Sequence, residues 1–178
     1  MTRDAFDILM LSPRFDLKPG EIQRAYLGLA TAAHPDSNNS DNDPDNHLNG
    51  DSEGVSAALN AAKDLLLDDE ARANLLLARL GGPAANQDRT LPPTLLMEMM
   101  EKRSEFEEAK ARGDAGAMAE LRAWADAQRD ARVAVVGGLF AEVEAAAKHG
   151  GAVAFQLKHL RVELNAWRYV ERMLEQVG

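Results

Sequence analysis

Residues 32–37 read Ala-Ala-His-Pro-Asp-Ser, and they stand between two runs with helical spacing. Before them, "PGEIQRAYLGLATAA" carries Ile22, Ala25, Tyr26, Leu29 and Ala33 at intervals of three and four. Pro19 suits a first helical turn, Glu21 lies favourably near a helix N-terminus, and Pro35 prevents continuation. The spacing predicts a helix over 19–33. After them, residues 37–52, "SNNSDNDPDNHLNGDS", form a polar, turn-rich loop whose one apolar residue is Leu48. "EGVSAALNAAKDLLL" then places Val55, Leu59, Ala62 and Leu66 on one face of a second helix. If the two pack as an antiparallel hairpin, His34-Pro35-Asp36 occupies its tip. A His near a helix C-terminus followed by Pro is a good stop signal. An exposed, rigid, polar tip between two amphipathic helices is also where binding residues are found.

Outward from the hairpin, Phe6, Ile8, Leu9 and Leu11 make a short apolar patch that Ser12-Pro13 breaks. Asp68-Asp69 can cap a further helix, "DEARANLLLARL", which Gly81-Gly82-Pro83 ends. Residues 81–94, "GGPAANQDRTLPPT", read as an interdomain linker, with Gly-Gly at one end and Pro-Pro at the other. Three helical segments follow: about Pro93–Arg112, about Ala115–Lys148 with a bend or close packing expected at Gly137-Gly138, and one after Gly150-Gly151. The last carries Val153, Leu157, Leu160, Leu164, Trp167, Val170 and Leu174, the seam of an antiparallel helical bundle. No strand pattern exceeds a few residues. The reading is all-α: an N-terminal helical hairpin over 1–80, the linker over 81–94, and a three-helix antiparallel bundle over 95–178.

Composition narrows the function. With 46% hydrophobic residues but only 5% aromatic, the 178-residue chain suits helices packed through Ala and Leu. A formal net charge of −9 argues against nucleic acid and anionic membranes as partners, since both need concentrated Lys and Arg. The absence of cysteine excludes disulfides, thiolate zinc sites, ligation of iron–sulfur clusters by this chain and a Cys nucleophile, and fits a cytoplasmic location. The first residues, "MTRDAFDILMLSP", lack the apolar core of a signal peptide. No apolar run approaches the ~20 residues that span a bilayer.

A helical hairpin with His-Pro-Asp in its connecting loop resembles a J-domain, and the whole chain more closely resembles the HscB co-chaperone family of iron–sulfur cluster assembly. "FDILMLSPRFDLKPGEIQRAYLGLATAAHPD" is similar to the family's opening, and "LNAAKDLLLDDEARANLLLARLGG" to its third and fourth helices. "LLMEMMEKRSEFEEAK" resembles the segment that opens its C-terminal domain, and "QLKHLRVELNAWRYVERML" its last helix. The tripeptide is moderately specific; four ordered segments with a linker between them are much more so.

The resemblance implies a protein with no chemistry or cofactor of its own. It would stimulate ATP hydrolysis by a DnaK/HscA-type heat-shock chaperone and deliver an IscU-type scaffold protein. His34, Pro35 and Asp36 would dock on the chaperone, with Arg24 and Tyr26 on the preceding helix. Asp36 can offer a carboxylate to a partner Arg. Leu96, Met97, Met100, Glu101, Glu108 and His159 would form the scaffold-binding set, a Met-rich and therefore adaptable surface rimmed by carboxylates. Self-association is compatible with such a bundle. Two positions depart from the family pattern: Ser104 replaces a carboxylate, and His159 stands where an aromatic is expected.

The acidity is uneven. Residues 1–80 hold seven Lys and Arg against 14 Asp and Glu, a net of −7; residues 81–178 hold 13 against 15, a net of −2. A J-domain usually meets an acidic chaperone patch with a basic helix, but here Arg24, with Lys18 before it, stands nearly alone. Like charge would slow and weaken docking. That motivates a rival reading: the same architecture serving a different client, with weak or lost ATPase stimulation. A second rival is a metal-binding sensor. Asp45, His47, Asn49 and Gly50 follow a calcium-loop order, but Ser56 stands where the required Glu belongs, and the four histidines form no ligand pattern. Gly137-Gly138 lacks the Lys and Ser/Thr of a phosphate loop. No nucleophile–base set or cofactor fingerprint supports an enzyme.

Overall fold

The computed structural model describes residues 3–33 and 52–177. It is all-α over those residues, with the order α1 (Ala5–Ile8), α2 (Pro19–Ala33), α3 (Ser52–Leu67), α4 (Asp69–Arg79), α5 (Pro93–Arg112), α6 (Ala115–Lys148) and α7 (Ala154–Val177). Residues Met1–Arg72 and Ala73–Gly178 form two compact units.

The first unit is the expected helical hairpin with a short helix in front. The apolar patch at Phe6 is helical. Asp4 accepts from the backbone amides of Phe6 and Asp7 at 2.9 and 3.1 Å, while the Asp7 carboxylate accepts from Asp4 N, a reciprocal cap that starts α1. α1 and α2 both pack on α3, around the buried side chains Phe6, Leu9, Leu17, Ile22, Leu59, Ala62 and Leu66. Val55, expected on that face, is 44% exposed. It lies in the first turn of α3, where the packed stripe has not yet begun. Arg72 ties the unit together. Its guanidinium donates from Nε to the Phe15 carbonyl at 2.9 Å and from a terminal nitrogen to the Leu66 carbonyl, pairs with Asp69, and lies 5.4 Å over the Phe15 ring.

The second unit is the helical bundle. α6 packs along α7 through Val136, Leu139, Phe140 and Val143 on one side and Leu157, Leu160 and Leu164 on the other. α5 closes the remaining part of the bundle: Leu95 and Met99 pack with Ala166 and Val170, and Phe106 and Ala109 with Leu121. These pairings run α5 parallel to α7 and antiparallel to α6. The α5–α6 turn needs Gly113, whose φ of 63° is left-handed and whose N–H closes on Lys110 O. α6 is one helix through Gly137-Gly138, and a Cβ on Gly138 would meet nothing within 4 Å. The expected close packing at Gly138 is therefore absent, and the residue faces open space.

The sequence reading places the domain boundary in a linker over 81–94, but the compact units divide inside α4. Two contacts explain the earlier division. Arg161 of α7 donates to Asn74 of α4 at 2.8 Å, and Asn165 of α7 donates to the carbonyls of Asp88 and Thr90, each at 3.0 Å. The second half of α4 and the Gly/Pro-rich segment are thus held by the last helix. Close packing also fixes the end of α4, because a Cβ on Gly82 would lie 2.1 Å from Leu77 Cδ1.

Candidate functional site

α5 begins at Pro92-Pro93 without a side-chain cap, and Pro93 in the first turn removes one of the amide donors that would otherwise be orphaned. Its buried stripe is Leu95, Met99, Phe106 and Ala109. Each residue turns the chain about 100° around the axis, so burying Leu95 and Met99 sends their neighbours outward. Leu96, Met97 and Met100 are 44%, 65% and 68% exposed. Glu101 and Glu108 are exposed on the same outer side; Glu108 lies 3.4 Å from Arg112 Nη1, one turn on. An isolated exposed Leu or Met needs no explanation, but three within five residues on a well-anchored helix form a patch.

Helical spacing sorts this segment into two outer stripes, Leu96–Met100–Arg103–Glu107 and Met97–Glu101–Ser104–Glu108. Both face solvent, and a third stripe faces the core. The exposed apolar side chains are backed by a rigid layer, since Leu95 and Met99 are anchored on α7 with Trp124 and Tyr169 packed around them.

His159 lies on α7, two turns before Ala166, the residue against which Leu95 packs. Its side chain is 43% exposed and stands 3.6 Å from Glu163, which in turn accepts from Arg132 of α6 at 2.8 Å. Phe155, one turn earlier on the same stripe, has its ring centre 6.2 Å from that of His159 and is 77% exposed. Sequence reasoning passed over Phe155 because it sits outside the seam of Leu157, Leu160 and Leu164. That off-seam position is itself the signal for an exposed aromatic. The His159 contacts named here stay on α7, whereas Leu96, Met97, Met100, Glu101 and Glu108 share α5.

On the first unit, Arg24 is exposed on α2. Tyr26 is half-buried beneath Lys63 of α3, whose Nζ is 4.7 Å from the ring centre. Arg14 is taken up by Asp16 and Glu21, each at 2.7 Å, so it adds little free positive charge beside α2. The hydrogen bond from Arg14 holds the Asp16 carboxyl below the usual range, and the Lys18 backbone amide does the same for Glu21. His34, Pro35, Asp36 and the calcium-loop-like residues Asp45, His47, Asn49 and Gly50 lie outside the described residues, while Ser56 lies in α3. Among the described residues, no three His, Asp or Glu side chains converge to hold a metal, and no helix is long and apolar enough to cross a membrane.

Residues 91–178 match the family described as the HSCB C-terminal oligomerisation domain. The chain is 29% identical over 135 residues to the co-chaperone protein HscB homolog of Ralstonia nicotianae, covering 75% of each chain. It is 28% identical over 177 residues to the homolog of Bordetella petrii, covering 98% of this chain and 94% of that one. In fold it is similar to human co-chaperone protein HscB, with a TM-score of 0.76 at 23% identity over 99% of this chain and 81% of that one. It is also similar to the chaperone HscB from Vibrio cholerae, with a TM-score of 0.62 at 25% identity over 99% of this chain and 100% of that one.

Proposed function

We propose that the chain is a co-chaperone of the HscB type, which stimulates the ATPase of a DnaK/HscA-type chaperone and presents an IscU-type scaffold protein to it during iron–sulfur cluster assembly. The observation that carries the client half is the outward turn of Leu96, Met97 and Met100 beside Glu101 and Glu108, on a helix whose other face is buried. Flexible thioethers can adapt to a partner's contour, and surrounding carboxylates set its register by charge. His159 extends the surface along α7. The chaperone half rests on His34-Pro35-Asp36 directly after α2, with Arg24 exposed on that helix and Tyr26 bracing it against α3. Docking would favour the chaperone's hydrolysis-competent conformation, which requires tighter binding to that state than to its alternative. The protein would act in the cytoplasm and carry out no bond chemistry itself.

Single-turnover ATP hydrolysis by the organism's own chaperone, with and without the scaffold, tests this. Stimulation should vanish in His34→Gln, and its enhancement by scaffold should vanish in a Leu96→Ala/Met97→Ala/Met100→Ala variant. Scaffold capture without any stimulation would favour the second reading, a J-domain-derived adaptor for a client; the excess of acid over base in residues 1–80 supports that reading. Failure to capture the scaffold would move the client elsewhere.

A further inference from the structure

A cleft of about 180 Å³ opens between α5 and α7, one turn beyond Met100. Its apolar lining is Met99, Phe106 and Met173, with Tyr169 beside them. Met99 and Phe106 are 3% and 6% exposed, so this floor belongs to the rigid bundle core. Arg103 of α5 and Arg172 of α7 border the same cleft. Neither guanidinium has an ion pair or hydrogen bond to another described residue, and the Tyr169 hydroxyl has none either. Along α7, Glu171 accepts from the Trp167 indole N–H at 2.9 Å and Glu175 pairs with Arg168 at 3.7 Å. On α5, Glu107 follows Arg103 by one turn without pairing with it.

The combination is unusual for this molecule. In a chain with net charge −9, most described cations near acids are paired, as at Arg14, Arg129, Arg132 and Lys148. Here two unpaired guanidiniums from different helices converge on one apolar, aromatic-lined recess. Guanidinium forks match carboxylate geometry, and a phenol can add a third donor. Sulfur and aromatic side chains take up a short apolar body readily. The positive charge at the rim of the recess repels a cationic head.

We infer that the Met99–Phe106–Met173 cleft is a binding site for a small amphiphilic carboxylate, whose head is held by Arg103 and Arg172 and whose apolar body lies on the methionine and phenylalanine floor. Small-ligand sites commonly combine such an apolar lining with a few convergent polar groups. The site adjoins the Leu96–Met97–Met100 face, since Arg103 follows Met100 by one turn on the same outer stripe of α5.

Octanoate is the probe. It is titrated into the full chain by calorimetry, alongside 1-octanol and octylammonium, while methyl-labelled methionines are followed by NMR. The expected result is one saturable octanoate site per chain, with shifts at the Met99 and Met173 methyls and smaller ones at Met97. Affinity should fall by about tenfold or more in Arg103→Gln/Arg172→Gln, as loss of two charge-assisted contacts requires. Both residues are exposed, so circular dichroism should show that variant folded. Absence of saturable binding would overturn the proposal. So would equal affinity for octanol or octylammonium, undiminished binding in the double variant, or shifts confined to methyls outside the cleft.

Discussion

The Arg72 guanidinium donates to the backbone carbonyl of Phe15 at 2.9 Å, joining positions 57 residues apart. The same side chain is 4% exposed and serves the end of α3, the start of α4 and the Phe15 ring. It does for the first unit what a larger core would otherwise do: it fixes the segment before α2 against the α3–α4 corner. Replacing it with Met keeps much of the volume but leaves two buried carbonyls without their donor. Arg72→Met should cost about 2–4 kcal/mol in urea unfolding followed by circular dichroism. A loss below half a kilocalorie would mean that the network is idle.

Asn165 plays a comparable part in the second unit, since one side-chain amide holds both Asp88 and Thr90. Asn165→Ala should cost about 1–2 kcal/mol and speed amide exchange over residues 84–92, while α6 and the buried part of α7 stay protected. Unchanged exchange in that segment would show that it is fixed by something else.

Neighbouring methionines on α5 should behave oppositely. Met99 is anchored in the core, so Met99→Ala should cost about 2–5 kcal/mol. Met100, 68% exposed, should change stability by no more than about 0.5 kcal/mol on the same substitution. Scaffold capture should show the reverse order: strongly weakened by Met100→Ala, and affected by Met99→Ala only as far as folding is lost.

The carboxyl of Glu21 is held below its ordinary value of 4.5, first by the Lys18 amide and also by Arg14 and Arg24. Its folded-state value is depressed, so its stabilisation is present above the ordinary value and lost as pH falls through the lower, folded-state one. Asp16, depressed chiefly by its hydrogen bond from Arg14, and Asp88, depressed chiefly by the Thr90 amide, act in the same direction. Glu21→Gln should therefore lower the urea midpoint at pH 7, and the gap from the parent should narrow once pH drops well below 4.5. A gap that stays constant from neutral to acid pH would contradict this assignment.

Helix identity was legible in the sequence because local causes determine it. Pro19 and Pro93 begin helices, Gly81 and Gly113 end them, and the three-and-four spacing of Leu157, Leu160, Leu164 and Trp167 needs no partner to be seen. The likeness to the HscB family was legible for the same reason, since it rests on ordered segments of such patterns. What the sequence left open is which of several apolar stripes faces the core. On α5, Leu95, Leu96, Met97, Met99 and Met100 are chemically interchangeable candidates for burial, and only the positions of Ala166 and Val170 on α7 select Leu95 and Met99. On α3, Val55 fits the periodic face but lies outside the packed stretch. The boundary between units is likewise a tertiary matter. Gly and Pro make residues 81–94 look like a free linker, yet hydrogen bonds from Asn165 hold it to a helix some 75 residues away. Local sequence sets backbone preference, but burial and hydrogen bonding between distant segments exist only once the helices have met.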